Sequence, residues 1–274
     1  MKNLKPKECP ITRDKESKLI WTYYTPPSAE TNFSRPNDEA YLREVWQFIP
    51  SQHLISTHSM QVATDYSGEY VEATYKNLEG LTATFDRITS LPPEKSDNTG
   101  RFLAVKSFAE SWFRPNKVPS LLDVGSGLGV FPYAVRKAGW QCTAIDPDAR
   151  AINNLRERVS VNTIHGNFMN LNPSKIFDIV TLNKVLEHVI DPIAMLSRVN
   201  KWLAKDGFVY LELPDGEVAS KYGPEREEFT IDHLHIFSMT SATILASRAG
   251  FTVKTIYRLQ EPSSKYTIRA ILTK

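Results

Sequence analysis

From residue 118 to the C-terminus, short apolar runs alternate with segments in which apolar residues recur every three or four positions. The short runs predict buried strands, and the periodic segments predict amphipathic helices. This alternation predicts an α/β fold with a mostly parallel, seven-stranded sheet and helices on both faces. The last two strands are joined by a short turn, so they should pair antiparallel. The predicted strands are 120–124, 141–145, 162–165, 176–182, 208–213, 252–257 and 266–272.

The first 116 residues follow a different pattern. Residues 1–55 are rich in Pro, Thr and Lys, and they predict an irregular N-terminal segment or a small subdomain. Residues 41–116 have mainly helical apolar spacing, including a helix from Thr99 to about Trp112. We therefore expect an N-terminal helical cap over 56–116 and the α/β core over 117–274.

Composition excludes several classes of protein. The 274-residue chain is 41% hydrophobic and has a formal net charge of +2, with no sustained basic run, so nothing predicts a nucleic-acid partner. No apolar run approaches the roughly 18 residues of a membrane span, and the first residues lack a secretory signal. Two cysteines make neither a disulfide framework nor a metal set. A cytoplasmic location is the expectation.

A glycine-rich turn follows the first core strand. The run Leu121-Leu122-Asp123-Val124 leads into Gly125, Gly127 and Gly129, and a helix is predicted from about Val130. Glycines let the backbone turn sharply and approach a ligand, and the free N–H groups of a helix start face that ligand. A dinucleotide site needs a third glycine at the position of Val130, and the Lys-Ser/Thr of a P-loop is absent.

Further motifs follow the glycine turn in order. Asp123 precedes it, Asp146 closes the second strand, Gly166-Asn167-Phe168 follows the third strand, and Asn183 ends the fourth. This series resembles the class I S-adenosylmethionine-dependent methyltransferases, and the resemblance covers residues 121–274. It implies a Rossmann-like fold, a methyl-transfer activity and S-adenosylmethionine as the cofactor.

The resemblance also implies which residues hold the cofactor. Asp123 would hold its ammonium, and Asp146 would accept hydrogen bonds from the ribose hydroxyls. Asn167 stands where most relatives have Asp, and its carbonyl would accept from the adenine amino group, while Phe168 packs on the ring. The full predicted set is Asp123, Gly125, Gly127, Gly129, Asp146, Pro147, Asn167, Phe168 and Asn183.

A histidine-containing loop is the candidate for the part of the site that faces the methyl acceptor. In related small-molecule methyltransferases a His occupies the position of His233, within a segment similar to Asp232–Ser238. A hydroxyl or amine acceptor needs a group that removes its proton, so His233 is the predicted base and His235 the second candidate. The alternative is that His233 only ties this loop to Glu187 or Asp232.

The segments 70–75 and 91–98 resemble bacterial methyltransferases of sugar and surface-polysaccharide pathways. This implies a carbohydrate-like acceptor, methylated on a hydroxyl and bound by Tyr70, Tyr75, Arg101 and His188. Another small metabolite, methylated on oxygen or nitrogen, and a cofactor-binding protein without turnover remain alternatives. The oligomeric state stays open.

No metal site is predicted. The stretch Leu186-Glu187-His188-Val189 is similar to one that binds a divalent metal in ubiquinone-type O-methyltransferases. Those enzymes carry a further acid three residues before the Glu, and here that position is Lys184.

Overall fold

The computed structural model describes residues 4–28, 30, 40–60 and 78–274. Its strands form two sheets, and its helices lie mainly between the strands of the larger one. The strands are β1 (Ser17–Tyr23), β2 (Arg43–Phe48), β3 (Leu54–His58), β4 (Ser120–Val124), β5 (Gln141–Asp146), β6 (Asn162–His165), β7 (Phe177–Asn183), β8 (Leu203–Pro214), β9 (His235–Ile236), β10 (Thr252–Gln260) and β11 (Tyr266–Thr273). The helices are α1 (Leu78–Thr89), α2 (Asp97–Trp112), α3 (Val130–Lys137), α4 (Ala149–Asn154), α5 (Pro192–Arg198), α6 (Gly216–Ala219) and α7 (Met239–Arg248).

The larger sheet has seven strands in the order β10-β11-β8-β7-β4-β5-β6. The strands from β8 to β6 run parallel, whereas β11 pairs antiparallel with both β8 and β10. The predicted Rossmann-like α/β fold with an antiparallel end is therefore confirmed. The carboxyl ends of the central parallel strands meet at one edge of the sheet, where ligand sites form in such folds.

Apolar side chains cover both faces of this sheet. Along β4, Leu121 packs in a cluster with residues of α2 and α3, while Leu122 packs in a second cluster with residues of α5 and α7. Successive residues of a strand point to opposite faces, so one apolar run serves both layers. No helix among the described ranges combines the length and the apolar character of a membrane span.

Polar side chains fix the helix starts. Ser96 accepts the Thr99 N–H at 3.2 Å and caps α2, which begins at Asp97, two residues before the predicted start at Thr99. Ser238 accepts the Ser241 N–H at 3.0 Å, and the Ser241 hydroxyl accepts the Ser238 N–H at 2.9 Å. Reciprocal capping of this kind satisfies two backbone donors at a helix start.

The N-terminal region differs from the prediction. Residues 43–48 and 54–58 are strands, not parts of a helical region, and β1 lies in the segment expected to be irregular or a small subdomain. The four-stranded sheet runs in the order β1-β2-β3-β9, and the predicted boundary at residues 55–56 falls inside β3. Burial alternates along most of β2, a period-two pattern that half-buried strands share.

The N-terminal sheet holds a loop of the core. Its fourth strand, β9, comes from the segment that carries the two candidate histidines. The Leu234 N–H donates to the Glu187 carbonyl at 2.8 Å, and the Ser56 N–H donates to the Leu234 carbonyl at 3.2 Å. The small sheet therefore fixes one wall of the ligand cavity described below.

Candidate functional site

A cavity of about 880 Å³ lies at the carboxyl ends of β4, β5 and β7. One half is lined by the glycine turn and the ends of β5, β6 and β7, and the other half by the segment 184–191 and the loop 227–234. A cavity of this size accommodates a cofactor and a small second molecule. We call the two parts the glycine half and the loop half.

The glycine turn is held by the neighbouring strand. The N–H groups of Gly125 and Ser126 donate to the Ile145 carbonyl at 2.9 and 3.2 Å, and the Gly127 N–H donates to Asp146 Oδ2 at 2.8 Å. Gly125, Gly127 and Gly129 have φ of +69°, +48° and +77°. These left-handed conformations explain the requirement for glycine at each position.

Gly129 does not line the cavity, in contrast to the prediction that it contacts the cofactor. A Cβ there would lie 2.8 Å from Leu155 Cδ2 and 2.9 Å from Val159 Cγ2, so this glycine lets the turn pack against the helical segment that continues α4. A Cβ on Gly127 would meet nothing within 4 Å, and Gly127 does line the cavity. The two glycines therefore have separate roles.

These roles predict different effects of two matched substitutions. Gly129→Ala adds a clash to a left-handed residue and should lower the free energy of unfolding by about 2–4 kcal/mol. Gly127→Ala adds only the backbone cost, about 1–2 kcal/mol, and should mainly weaken cofactor binding. Urea denaturation measures the free energy of unfolding of each variant, and calorimetry with S-adenosylhomocysteine measures its affinity for the cofactor product. Equal losses of stability in both variants would contradict the assignment.

Asp146 is the acid at the end of β5. Its Oδ2 accepts the Gly127 N–H, and its Oδ1 accepts the Asp148 N–H at 2.9 Å. A carboxylate has about four acceptor positions, so both oxygens can also accept from a pair of ligand hydroxyls. Burial raises the pKa of Asp146 to about 6, and the two backbone hydrogen bonds oppose that shift.

Asp123 and Asn183 form a second polar pair in the glycine half. Asp123 Oδ1 accepts from Asn183 Nδ2 at 2.7 Å and from the Thr181 hydroxyl at 2.6 Å. Burial raises the pKa of Asp123 to about 6, while these hydrogen bonds lower it. Asn183 Oδ1 is buried without a hydrogen-bond partner, so it presents an acceptor that a ligand ammonium would satisfy. The chemistry of this pair therefore fits the ammonium group of the predicted cofactor.

The residues predicted to bind the adenine already make contacts within the protein. Asn167 Oδ1 accepts the Met169 N–H at 2.9 Å, so one of its acceptor positions is occupied. Phe168 lines the cavity but is buried against Trp202, with ring centroids 5.6 Å apart. Pro147 also lines the cavity, so eight of the nine predicted cofactor residues come together there.

Arg101 has a structural partner. Its Nε donates to Glu212 Oε2 at 2.8 Å, and its Nη2 bonds to Glu212 Oε1. Burial alone would raise the pKa of Glu212, but the charge and hydrogen bonds of Arg101 outweigh it and hold that pKa at about 2. Arg101 lines the cavity, yet its guanidinium is committed to this pair, which the sequence did not reveal.

His233 and His188 meet in the loop half. His233 Nδ1 lies 2.9 Å from the Glu228 carbonyl, and His188 Nδ1 lies 3.0 Å from the Asp232 carbonyl. A carbonyl only accepts, so Nδ1 carries the proton in each ring and Nε2 is the acceptor nitrogen. Burial lowers the pKa of His233 to about 4, although the Asp232 carboxylate opposes this.

His235 does not line the cavity, which argues against its role as a second base. It is buried in β9, where its Nδ1 lies 3.2 Å from His53 Nε2. His53 Nδ1 in turn lies 3.1 Å from the Ser241 hydroxyl. Burial lowers the pKa of His235 to about 4, and the pair joins the N-terminal sheet to the core.

Glu187 is an unpredicted feature of this half. It is fully buried, and neither carboxylate oxygen has a hydrogen-bond partner. One ligand atom from each of Glu187, His188 and His233 lies within 4.8 Å of the others. Burial raises the pKa of Glu187 to about 7. Such a trio is of the type that binds cations, although the sequence predicted no metal site.

Two of the four residues predicted to bind the acceptor, Tyr70 and Tyr75, lie outside the described residues. Of the other two, His188 lies in the loop half, and Arg101 is paired with Glu212. Lys184, which the sequence analysis used only to argue against a metal, also lines the cavity. Its position directly after Asn183, at a strand end, is the signal that could have identified it.

Comparison with known proteins identifies the family of the chain. Residues 95–256, more than half of the chain, match a family model described as a methyltransferase domain, so the chain belongs to that family. The match confirms the class predicted from the motifs and supports the cofactor that goes with it.

Two curated proteins are similar to parts of the chain. The cypemycin N-terminal methyltransferase of Streptomyces sp is 26% identical over 154 residues, which cover 54% of this chain and 62% of that protein. The ubiquinone biosynthesis O-methyltransferase of Haemophilus ducreyi is 32% identical over 103 residues, covering 33% of this chain and 43% of that protein. The chain thus matches less than two thirds of either relative.

Solved structures share the fold. Magnesium protoporphyrin IX methyltransferase from Synechocystis PCC 6803 superposes with a TM-score of 0.51 at 15% identity, over 65% of this chain and 85% of that one. A glycopeptide N-methyltransferase superposes with a TM-score of 0.51 at 14% identity, over 64% and 90%. At these identities the likeness concerns the fold alone.

Proposed function

We propose that the protein transfers a methyl group from S-adenosylmethionine to an oxygen or nitrogen atom of a small polar acceptor. The observation that carries this proposal is one continuous cavity with two chemically distinct halves. Its glycine half places Asp123, Asp146 and Asn183 around a turn of the type that holds a nucleoside. Its loop half carries His188 and His233, which suit an acceptor with a removable proton.

The chain's residues divide the work of the reaction. S-adenosylmethionine supplies a methyl group on a sulfonium, which is already a good leaving group. Asp146 and Asn183 would orient it, and orientation supplies much of the acceleration in such a displacement. The acceptor atom forms a bond to the methyl carbon, the carbon–sulfur electron pair stays on sulfur, and the acceptor's proton passes to His233 Nε2.

The acceptor we favour is a hydroxyl of a sugar or polysaccharide precursor, handled in the cytoplasm. The resemblance of segments 70–75 and 91–98 to sugar-pathway enzymes supports this choice. The loop half contributes polar residues, among them Lys184 and Asp232, that can hydrogen-bond to the hydroxyls of such a molecule. Other small metabolites remain possible acceptors.

Two measurements test the proposal. Calorimetry should detect S-adenosylmethionine binding at micromolar concentrations, and no binding near 1 mM would contradict a methyltransferase. A panel of nucleotide sugars, free sugars and amino sugars should then release S-adenosylhomocysteine with at least one member. Cofactor binding without any release would favour a cofactor-binding protein that has no turnover.

With an acceptor from that panel, His233→Gln should lower kcat by about 10²–10⁴-fold and leave cofactor affinity within threefold. Because the pKa of His233 is lowered to about 4, the wild-type rate should not fall through protonation of this ring until the pH approaches 4. Steady-state kinetics at pH 5–9 check both points. His58→Gln, in β3, is the control, and an unchanged kcat in His233→Gln would remove the base assignment.

An amine acceptor is the second candidate, and the Glu187 trio favours it. The two unpartnered oxygens of Glu187 would stabilise a protonated amine nearby, since a buried carboxylate needs a positive partner. One similar protein is named as a cypemycin N-terminal methyltransferase, and another as a glycopeptide N-methyltransferase. Amino sugars in the panel, matched with their hydroxyl analogues, separate the two nucleophiles.

A further inference from the structure

We infer that Lys184 binds an oxyanion of the acceptor, a carboxylate or a phosphate, in the loop half of the cavity. This inference rests on the proposed function, because it concerns the acceptor that lies beside the bound cofactor. Four features of the described residues carry it: the backbone conformation of Lys184, the position of its side chain, the engagement of its nearest carboxylate, and the charges around it.

The backbone at Lys184 is held in an unfavourable conformation. Its φ is +57°, in the left-handed region, which costs a residue with a side chain about 1–2 kcal/mol. Six non-glycine residues among the described ranges have positive φ, and Lys184 is the one of the six that lines the cavity. Strain of this kind concentrates at functional sites, where it aims a side chain.

The Lys184 N–H donates to the Glu212 carbonyl at 3.0 Å, which anchors this turn to β8. The side chain is 28% exposed, so the ammonium group is partly accessible from the cavity. Lys184 directly follows Asn183, whose amide contacts Asp123 in the glycine half. Lys184 lines the cavity and therefore stands at the junction of the two halves, beside which the acceptor would bind.

The carboxylate nearest to Lys184 Nζ is already engaged. Glu212 Oε1 lies 3.9 Å away, which is too far for a hydrogen bond. Both Glu212 oxygens accept from Arg101, and Oε2 also accepts from the Tyr210 hydroxyl at 3.0 Å. Within the described residues, no hydrogen bond from Lys184 Nζ is found, so its three N–H donors suit an external acceptor.

The charges around Lys184 favour an anion. Burial lowers its pKa, and the nearby charges of Lys265 and Arg101 lower it further, while Glu212 and Glu187 oppose them. Glu212 is paired with Arg101, and the pKa of Glu187 is raised to about 7, so neither compensates Lys184 fully near neutral pH. A carboxylate or phosphate beside Nζ would supply the missing negative charge.

Probes built on the same sugar ring distinguish the two kinds of oxyanion, a carboxylate and a phosphate. Protein saturated with S-adenosylhomocysteine is titrated with glucuronate, glucose 1-phosphate and glucose, and with inorganic phosphate as the smallest probe. We expect at least one of the anionic sugars to bind tenfold or more tightly than glucose. Preference for glucuronate identifies a carboxylate site, and preference for glucose 1-phosphate identifies a phosphate site.

Substitutions of two lysines test whether the preference for an anionic sugar depends on Lys184. Lys184→Met should remove the preference for the anionic sugar, Lys184→Arg should keep it, and Lys205→Met, at an exposed position of β8, should leave it unchanged. Binding of the preferred anion should also raise the pKa of the Lys184 ammonium, which ¹³C NMR of lysine Cε measures. A residue with a merely structural role would not show that coupling.

Three results would overturn the inference: equal binding of the three sugars, an anion preference that persists in Lys184→Met, or a tenfold loss of S-adenosylhomocysteine affinity in that variant. The last would assign Lys184 to the carboxylate of the cofactor. Failure here differs from failure of the proposed function, because the latter shows as a lack of cofactor binding in the wild-type protein.

Discussion

Replacing Asp146 with Ala is expected to lower the affinity for S-adenosylhomocysteine by at least about a hundredfold. A hydrogen bond to a charged group contributes about 1.5–3 kcal/mol, and Asp146 is placed to accept two from a ribose. The same carboxylate fixes the Gly127 and Asp148 N–H groups, so its loss also loosens the glycine turn. Isothermal calorimetry at pH 7.5 measures the effect.

The control is Asp206→Ala, which replaces an exposed acid of β8 and should leave the affinity unchanged. A pH series adds a second check on Asp146. Because burial raises its pKa to about 6, the carboxylate gains a proton as the pH falls through 6, and affinity should fall with it. If Asp146→Ala stays within threefold of the wild type, this residue does not hold the ribose.

The second large effect concerns stability. Glu212→Gln is expected to lower the free energy of unfolding by about 3–5 kcal/mol at pH 7, because Arg101 would keep its buried charge without a carboxylate. The pKa of Glu212 falls from 4.5 to about 2 on folding, which corresponds to about 3 kcal/mol, in agreement with that range. Urea denaturation measures the loss.

A surface ion pair on the same helix is the matched control. Glu110→Gln breaks its exposed i,i+4 pair with Lys106 and should cost no more than about 0.5 kcal/mol. The pH dependence has a definite sign: the stabilisation from Glu212 is complete above pH 4.5 and is lost as the pH falls through 2. A loss below 1 kcal/mol in Glu212→Gln would show that Arg101 finds another partner.

The Arg101–Glu212 ion pair also changes the interpretation of one residue that was predicted to bind the acceptor. Arg101 was expected to bind the acceptor, but its guanidinium lies against Glu212, which stands 111 positions later in the chain. Lys184 takes its place as the cationic candidate. An arginine in a helix does not reveal its partner, because that partner is brought to it only when the helix packs on the sheet.

Much of the glycine half could be predicted because its features are local. A strand, a glycine turn and a helix follow one another within Leu121–Lys137, and each element is specified by its own residues. Parallel strands then bring their carboxyl ends to one edge, so Asp123, Asp146 and Asn183 meet without further information. Gly129 is the exception, since the residues that a Cβ there would meet, Leu155 and Val159, lie beyond β5 in the helical segment that continues α4.

The sequence by itself determined the α/β core, the cofactor turn and the order of the acids around it. Only the tertiary structure decided the loop half, where Glu187, His188 and His233 are joined and His235 is turned into a second sheet. The reason is physical. Local spacing fixes the conformation of a segment, whereas the pairing of β9 with β3 depends on contacts between residues about 180 positions apart, such as His53 and His235.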